Sequence, residues 1–152
     1  MKVSYVLKIK GNSYYSIGPD QSLIDAVRVM MQHKIGALVV MDDQRLISII
    51  TERDILGAVD KFGADLKNVK VNQMMAPQLV VCGGEDTVDH AMHLMTHNLT
   101  KHRIRHLPVV NNEKLIGVIS IGDIVQALLT ETTFENRLLK HYIKSWPEEE
   151  QV

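Results

Sequence analysis

Two stretches of this chain repeat one pattern: Leu38-Val39-Val40-Met41-Asp42-Asp43-Gln44-Arg45-Leu46-Ile47-Ser48-Ile49-Ile50-Thr51-Glu52-Arg53-Asp54-Ile55 and Leu107-Pro108-Val109-Val110-Asn111-Asn112-Glu113-Lys114-Leu115-Ile116-Gly117-Val118-Ile119-Ser120-Ile121-Gly122-Asp123-Ile124. They are offset by 120 − 51 = 69 residues. In each, two β-branched apolar runs of strand length flank a four-residue polar turn, and a second helix starts at Thr51 or Ser120.

The repetition extends backwards. Asp20-Gln21-Ser22-Leu23-Ile24-Asp25-Ala26 falls on Glu85-Asp86-Thr87-Val88-Asp89-His90-Ala91, at an offset of 85 − 20 = 65. Ser22 and Thr87 are candidate N-caps, followed by Leu23, Ala26, Val27 and Met30, and by Val88, Ala91, Met92 and Met95, at helical spacing. The change of offset, 69 − 65 = 4, places four extra residues in the second copy, between Thr96 and Arg103.

Each copy therefore reads strand, helix, strand, strand, helix, and the fold class is α/β (α+β): two β-α-β-β-α repeats about a pseudo-twofold axis. The expected boundaries are an N-terminal segment at 1–14, repeat 1 at 15–60, a packed linker at 61–78, repeat 2 at 79–130, and a C-terminal helix and tail at 131–152. Val71, Met74 and Met75 suggest a short helical turn in the linker, stopped by Pro77. Phe134, Leu138, Leu139, Tyr142, Ile143 and Trp146 form an apolar stripe at helical spacing near the C-terminus.

Composition bounds the function. With 17 Lys+Arg against 18 Asp+Glu the formal net charge is −1, which argues against a nucleic-acid binder led by bulk charge. Of the 152 residues, 45% are hydrophobic and 23% charged, the balance of an ordinary globular protein. No apolar run approaches the roughly 18 residues of a membrane-spanning helix, and the N-terminus lacks a signal-peptide pattern, so a cytoplasmic protein is expected. The single cysteine, Cys82, fits a reducing compartment and forms no internal bridge.

These residues resemble a tandem cystathionine beta-synthase domain pair, the CBS pair or Bateman module, over nearly the whole chain. The resemblance rests on Ile35-Gly36-Ala37-Leu38-Val39-Val40 with Leu46 to Ile55, and on His102-Arg103-Ile104-Arg105-His106-Leu107-Pro108-Val109-Val110 with Leu115 to Ile124. It implies a stand-alone bacterial-type regulatory protein that binds adenosine compounds (AMP, ADP, ATP, NAD or S-adenosylmethionine) in clefts between the repeats. It also implies a homodimer formed through helices and a separate effector protein, and no required cofactor.

The feature that carries chemistry is a hydroxyl residue followed three positions later by Asp: Thr51 and Asp54, Ser120 and Asp123. A helix start directs backbone N–H groups and a positive dipole end outward, which suits a phosphate, and the hydroxyl adds a hydrogen bond. The Asp on the first turn can accept both ribose hydroxyls. Read alone, the same pattern simply caps a helix. In the family these positions contact phosphate and ribose.

Arg53, Arg103, Arg105 and His106 are candidates to neutralise the phosphate, although isolated arginines are more often solvated surface charges. The adenine slot is expected from Ile17, Ile35 and Val81, each of which, taken singly, is ordinary core. Gly122 stands where the first copy has Arg53, so the second site must draw its phosphate charge from elsewhere.

Two other chemistries have weaker support in the sequence. His90, His93 and His97 share a helical face near Asp86 and Asp89, but a metal site needs ligands converging from more than one element, and a solvated helix face is the expectation. Cys82 lacks a recognisable His and acid partner, so no catalytic residue and no enzyme activity are expected. The competing function is a ligand-free oligomerisation module serving a separate partner.

Overall fold

A computed structural model describes residues 1–97 and 104–145. The insertion around Asn98 to Lys101, together with Arg103 and Trp146, lies outside the described residues.

The elements run α1 (Val3–Lys10), β1 (Ser16–Ile17), α2 (Leu23–His33), β2 (Ala37–Asp42), β3 (Arg45–Thr51) and α3 (Glu52–Phe62). A 3-10 turn at Gly63–Asn68 and α4 (Val71–Met74) lead to β4 (Cys82–Gly83), α5 (Val88–Thr96), β5 (His106–Asn111), β6 (Lys114–Ser120) and α6 (Ile121–Lys144). Two three-stranded sheets result, β1-β2-β3 and β4-β5-β6, each with a parallel first pair and an antiparallel hairpin.

Both hairpins close through two residues in the left-handed region, Asp43 and Gln44 (φ 47° and 69°) and Asn112 and Glu113 (φ 50° and 66°). The four-residue polar turn is thus a two-residue loop plus its flanking pair, Asp42 with Arg45 and Asn111 with Lys114. Positive φ at both loop positions matches the right-handed twist of the strands, and Asp or Asn tolerates it best. The N-caps form as expected: Ser22 Oγ accepts from the Asp25 N–H at 3.0 Å and Thr87 Oγ1 from the His90 N–H at 3.1 Å.

Each repeat owns a core, and each core borrows a helix from outside it. Val3, Val6 and Leu7 of α1 are buried with Val88, Ala91, Met95, Leu107, Ile119 and Ile124 of repeat 2. Val71 of α4 is buried with Leu23, Ala26, Leu38, Val40 and Ile50 of repeat 1. The backbone contacts are equivalent: Val3 N–H donates to Asp86 O and Val71 N–H to Gln21 O, each at 2.9 Å. The N-terminal segment therefore packs on the far repeat, a crossing that ties both ends of repeat 1 to repeat 2.

Position 48/117 receives the crossing chains. Buried Ser48 donates its hydroxyl to Ala76 O at 2.7 Å. At Gly117 a Cβ would lie 2.7 Å from Leu7 Cδ2, so the missing side chain is what lets α1 approach β6. Phe134 to Ile143 of the apolar stripe lie on one continuous helix, α6, of 24 residues. Its first turns bury Ile124 and Ala127 in repeat 2, while Phe134, Leu138, Leu139, Tyr142 and Ile143 are more than half exposed.

Candidate functional site

The two hydroxyl-to-Asp motifs occupy matching places at strand-to-helix junctions. Glu52 N–H donates to Gly36 O and Ile121 N–H to Arg105 O, both at 3.0 Å, so each helix start is pinned to the segment entering the preceding strand. In repeat 2, Ser120 N–H donates to Asp123 Oδ2 at 2.8 Å and Asp123 N–H to Ser120 Oγ at 3.0 Å. In repeat 1, Thr51 donates to Asp54 Oδ2 from its N–H at 2.8 Å and from its hydroxyl at 3.2 Å. Both carboxylates are half-buried and held on the first helical turn beside their N-caps. The capping role and a ligand role share the same atoms, so the local geometry serves both.

The strands that end at the two motifs, β3 and β6, touch at the repeat boundary. A Cβ on Gly36 would lie 3.1 Å from Glu52 Oε1 and 3.6 Å from His106 Cε1, which brings His106 of repeat 2 against Gly36 and Glu52 of repeat 1. Burial is the main cause that lowers the His106 pKa, with Lys10 next; Asp123 and Glu52 pull it the other way, and Arg105 lowers it again. At neutral pH the ring is held neutral and is not a fixed cation.

A cation enters from a different element. Lys10, the last residue of α1, places Nζ 2.7 Å from Asp123 Oδ2 and also donates to the Val118 carbonyl. Burial pushes the Asp123 pKa up, but the Lys10 bond, the Ser120 N–H, the Lys10 charge and the Ser120 hydroxyl together outweigh it and hold the carboxyl below its ordinary value. Sequence reasoning missed Lys10. The available signal was the echo of Lys2-Val3 in Lys70-Val71, which makes α1 the counterpart of α4 and places its end beside repeat 2.

The other expected residues separate into surface and core. Arg53 and Arg105 flank the helix starts and are exposed, while Arg103 lies outside the described residues. Ile17 is 3% exposed and belongs to the repeat 1 core, against which Ile35 packs half-buried. The pairing of Ile17 with Val40 matches that of Cys82 with Val109, so the counterpart of Ile17 is Cys82, and Val81 is a half-buried residue before β4.

Burial first, and Asp86 second, push the Cys82 thiol up to about 12, so it stays protonated and is no nucleophile. The rings of His93 on α5 and His97 just after it stack at 4.6 Å, and among the described residues no three His, Cys, Asp or Glu side chains gather around a common point. One groove of about 340 Å³ lies along α6, and another of about 380 Å³ lies between the start of α1 and Glu131 of α6. The first is lined by Gln126, Leu129, Thr130, Thr133, Phe134 and Arg137. Among the described residues no helix is long and apolar enough to cross a membrane.

Comparison with known proteins bears on the same segments. The CBS domain family model matches residues 10–61 and 71–130, the two repeats. The mitochondrial CBS domain-containing protein CBSX3 of Arabidopsis thaliana is 40% identical over 151 residues, covering 93% of this chain and 71% of that protein. The crystal structure of the CBS-domain protein ATU1752 from Agrobacterium tumefaciens aligns with a TM-score of 0.78 at 40% identity, over 84% of this chain and 98% of that one. The structure of CBSX2 in complex with AMP aligns with a TM-score of 0.67 at 25% identity, over 80% of this chain and 92% of that one. With both repeats matched in sequence and in fold, this chain belongs to the CBS domain family as a tandem CBS pair.

Proposed function

We propose that this CBS pair is a regulatory module, not an enzyme, that binds an adenosine nucleotide of the AMP, ADP, ATP or NAD type between its repeats. Asp54 and Asp123 accept the ribose hydroxyls. Thr51, Arg53, Ser120, Arg105 and His106 serve the phosphate, with Arg103 assigned to the same role from the sequence, and the segments carrying Ile17, Ile35 and Val81 border adenine. The observation that carries this reading is the pairing, in one molecule, of two equivalent helix starts that each present a hydroxyl and a carboxylate at the boundary between repeats. The AMP complex of CBSX2 supports the ligand class.

The signal travels by differential affinity. A ligand that bridges the repeats favours the arrangement in which both cleft walls meet it, and shifts the population toward that arrangement. The output is a homodimer joined through helices, read by a separate effector protein. The apolar outer face of α6 favours a second reading, an oligomerisation module with no ligand.

Titration calorimetry of AMP, ATP, NAD and S-adenosylmethionine into ligand-stripped protein separates the two. Saturable binding to the unsubstituted chain, reduced in Asp54→Ala and Asp123→Ala and abolished in the double variant, supports the sensor. Ligand at 100 times its Kd also adds about 2.7 kcal/mol of stability, visible as a raised Tm. Heatless titrations with all four compounds, with no Tm shift, leave the scaffold.

A further inference from the structure

We propose that Lys10 is the phosphate-facing cation of the second cleft: the N-terminal helix delivers there the positive charge that Gly122 omits, and parks it on Asp123. This inference rests on the nucleotide reading and adds a residue to it.

The first cleft has Arg53 on the opening turn of α3; the equivalent residue on α6, Gly122, has no side chain. His106 is held neutral by burial, and Arg105 is exposed. Among the described residues Lys10 is the cation in direct contact with the motif, at 2.7 Å from Asp123 Oδ2. That oxygen also accepts the Ser120 N–H at 2.8 Å, so the ammonium sits beside the N-cap whose hydroxyl is assigned to phosphate.

The inventory of donors and acceptors leaves room for a ligand. Lysine has three N–H donors, and among the described residues two are used, on Asp123 and on the Val118 carbonyl. The third can meet an anion without breaking either contact. Both the Ser120 bond and the ion pair fall on Oδ2, so Oδ1 of Asp123 is the oxygen presented to a ribose hydroxyl.

The position is built rather than incidental. Val3, Val6 and Leu7 anchor α1 in the core of repeat 2, and Gly11, at φ 98°, turns the chain away immediately after Lys10. The Lys10 backbone is therefore fixed relative to Ser120, and the four-carbon stem supplies the small adjustment that aims the third N–H at a phosphate.

Calorimetry in an Asp54→Ala background, which disables the first cleft, tests this with AMP and adenosine as probes. The chain with Lys10 is compared with Lys10→Met and Lys10→Arg. Loss of a charge-assisted contact predicts that Lys10→Met weakens AMP about tenfold or more while adenosine changes less than about twofold, and that Lys10→Arg keeps most of the AMP affinity. AMP and adenosine shifting together would show that Lys10 acts only through Asp123 or through the fold. Tighter AMP binding by Lys10→Met would make Lys10 a competitor of the ligand, and unchanged AMP binding would remove it from the site; each of these overturns the proposal.

AMP binding to the unsubstituted chain but not to the Asp54→Ala background would refute a second-cleft site while leaving the first. No binding to the unsubstituted chain would overturn the nucleotide reading and this inference together. Melting curves of all variants establish that each is folded before titration.

Discussion

The packing of α1 on repeat 2 sets up a double-mutant cycle between Leu7 and Gly117. Leu7 is 3% exposed, so Leu7→Ala removes buried methyl groups and leaves a partly relaxed cavity, a loss of about 2–4 kcal/mol. At Gly117 an added Cβ meets Leu7 Cδ2 at 2.7 Å, with Cδ1 at 3.4 Å and Cγ at 3.7 Å behind it. Leu7 is buried and has little freedom to yield, so overpacking costs about 1–3 kcal/mol, reduced by the roughly 0.5–1 kcal/mol that a strand gains from Ala over Gly. A net loss of about 1–2 kcal/mol is expected for Gly117→Ala.

Combined, the two changes relieve each other, because the new Cβ enters the space that Cδ2 has left. The double variant should then be less destabilised than the sum of the singles by about 1–2 kcal/mol. Urea unfolding of nucleotide-free protein at one fixed concentration measures all four chains, provided the m-values agree. Additivity within about 0.5 kcal/mol would refute the contact between α1 and β6 and, with it, the placement of Lys10 in the second cleft.

Two further outcomes follow from the same geometry. The folded state holds the His106 pKa below its ordinary value near 6.5, so the unfolded chain takes up this proton first; the contribution is whole above pH 6.5 and is lost as pH falls through the folded-state value. The urea midpoint of the unsubstituted chain should therefore fall more steeply than that of His106→Gln between pH 7.5 and 5, and parallel curves would contradict a buried neutral ring. Removing 131–152 deletes exposed Phe134, Leu138, Leu139, Tyr142 and Ile143 but keeps buried Ile124 and Ala127, so the proposed dimer should weaken while the chain stays folded; unchanged mass in light scattering would exclude this stretch from the proposed contact.

Much of the fold was legible because its signals are local and doubled. The β-branched runs, the Asp43-Gln44 and Asn112-Glu113 turns and the caps at Ser22 and Thr87 each depend on residues within a few positions of one another, and each occurs twice. The motifs Thr51 to Asp54 and Ser120 to Asp123 were legible for the same reason. The role of α1 was not: Val3, Val6 and Leu7 span barely one turn, too short for a periodic signal, and their partners lie about 80 residues or more away. Val81 marks a related limit, since only the pairing of Cys82 with Val109 shows which residue of β4 turns inward.

By itself, then, the sequence determined two repeats, their element order and the two helix starts that carry hydroxyl and carboxylate, because hydrophobic period, turn chemistry and capping are properties of neighbouring residues. The tertiary structure alone decided which core receives α1, that His106 meets Gly36 and Glu52 across the boundary, and that Lys10 pairs with Asp123. Those contacts join residues up to 113 positions apart (123 − 10), and packing two faces together, rather than any local preference, brings such residues within hydrogen-bonding distance.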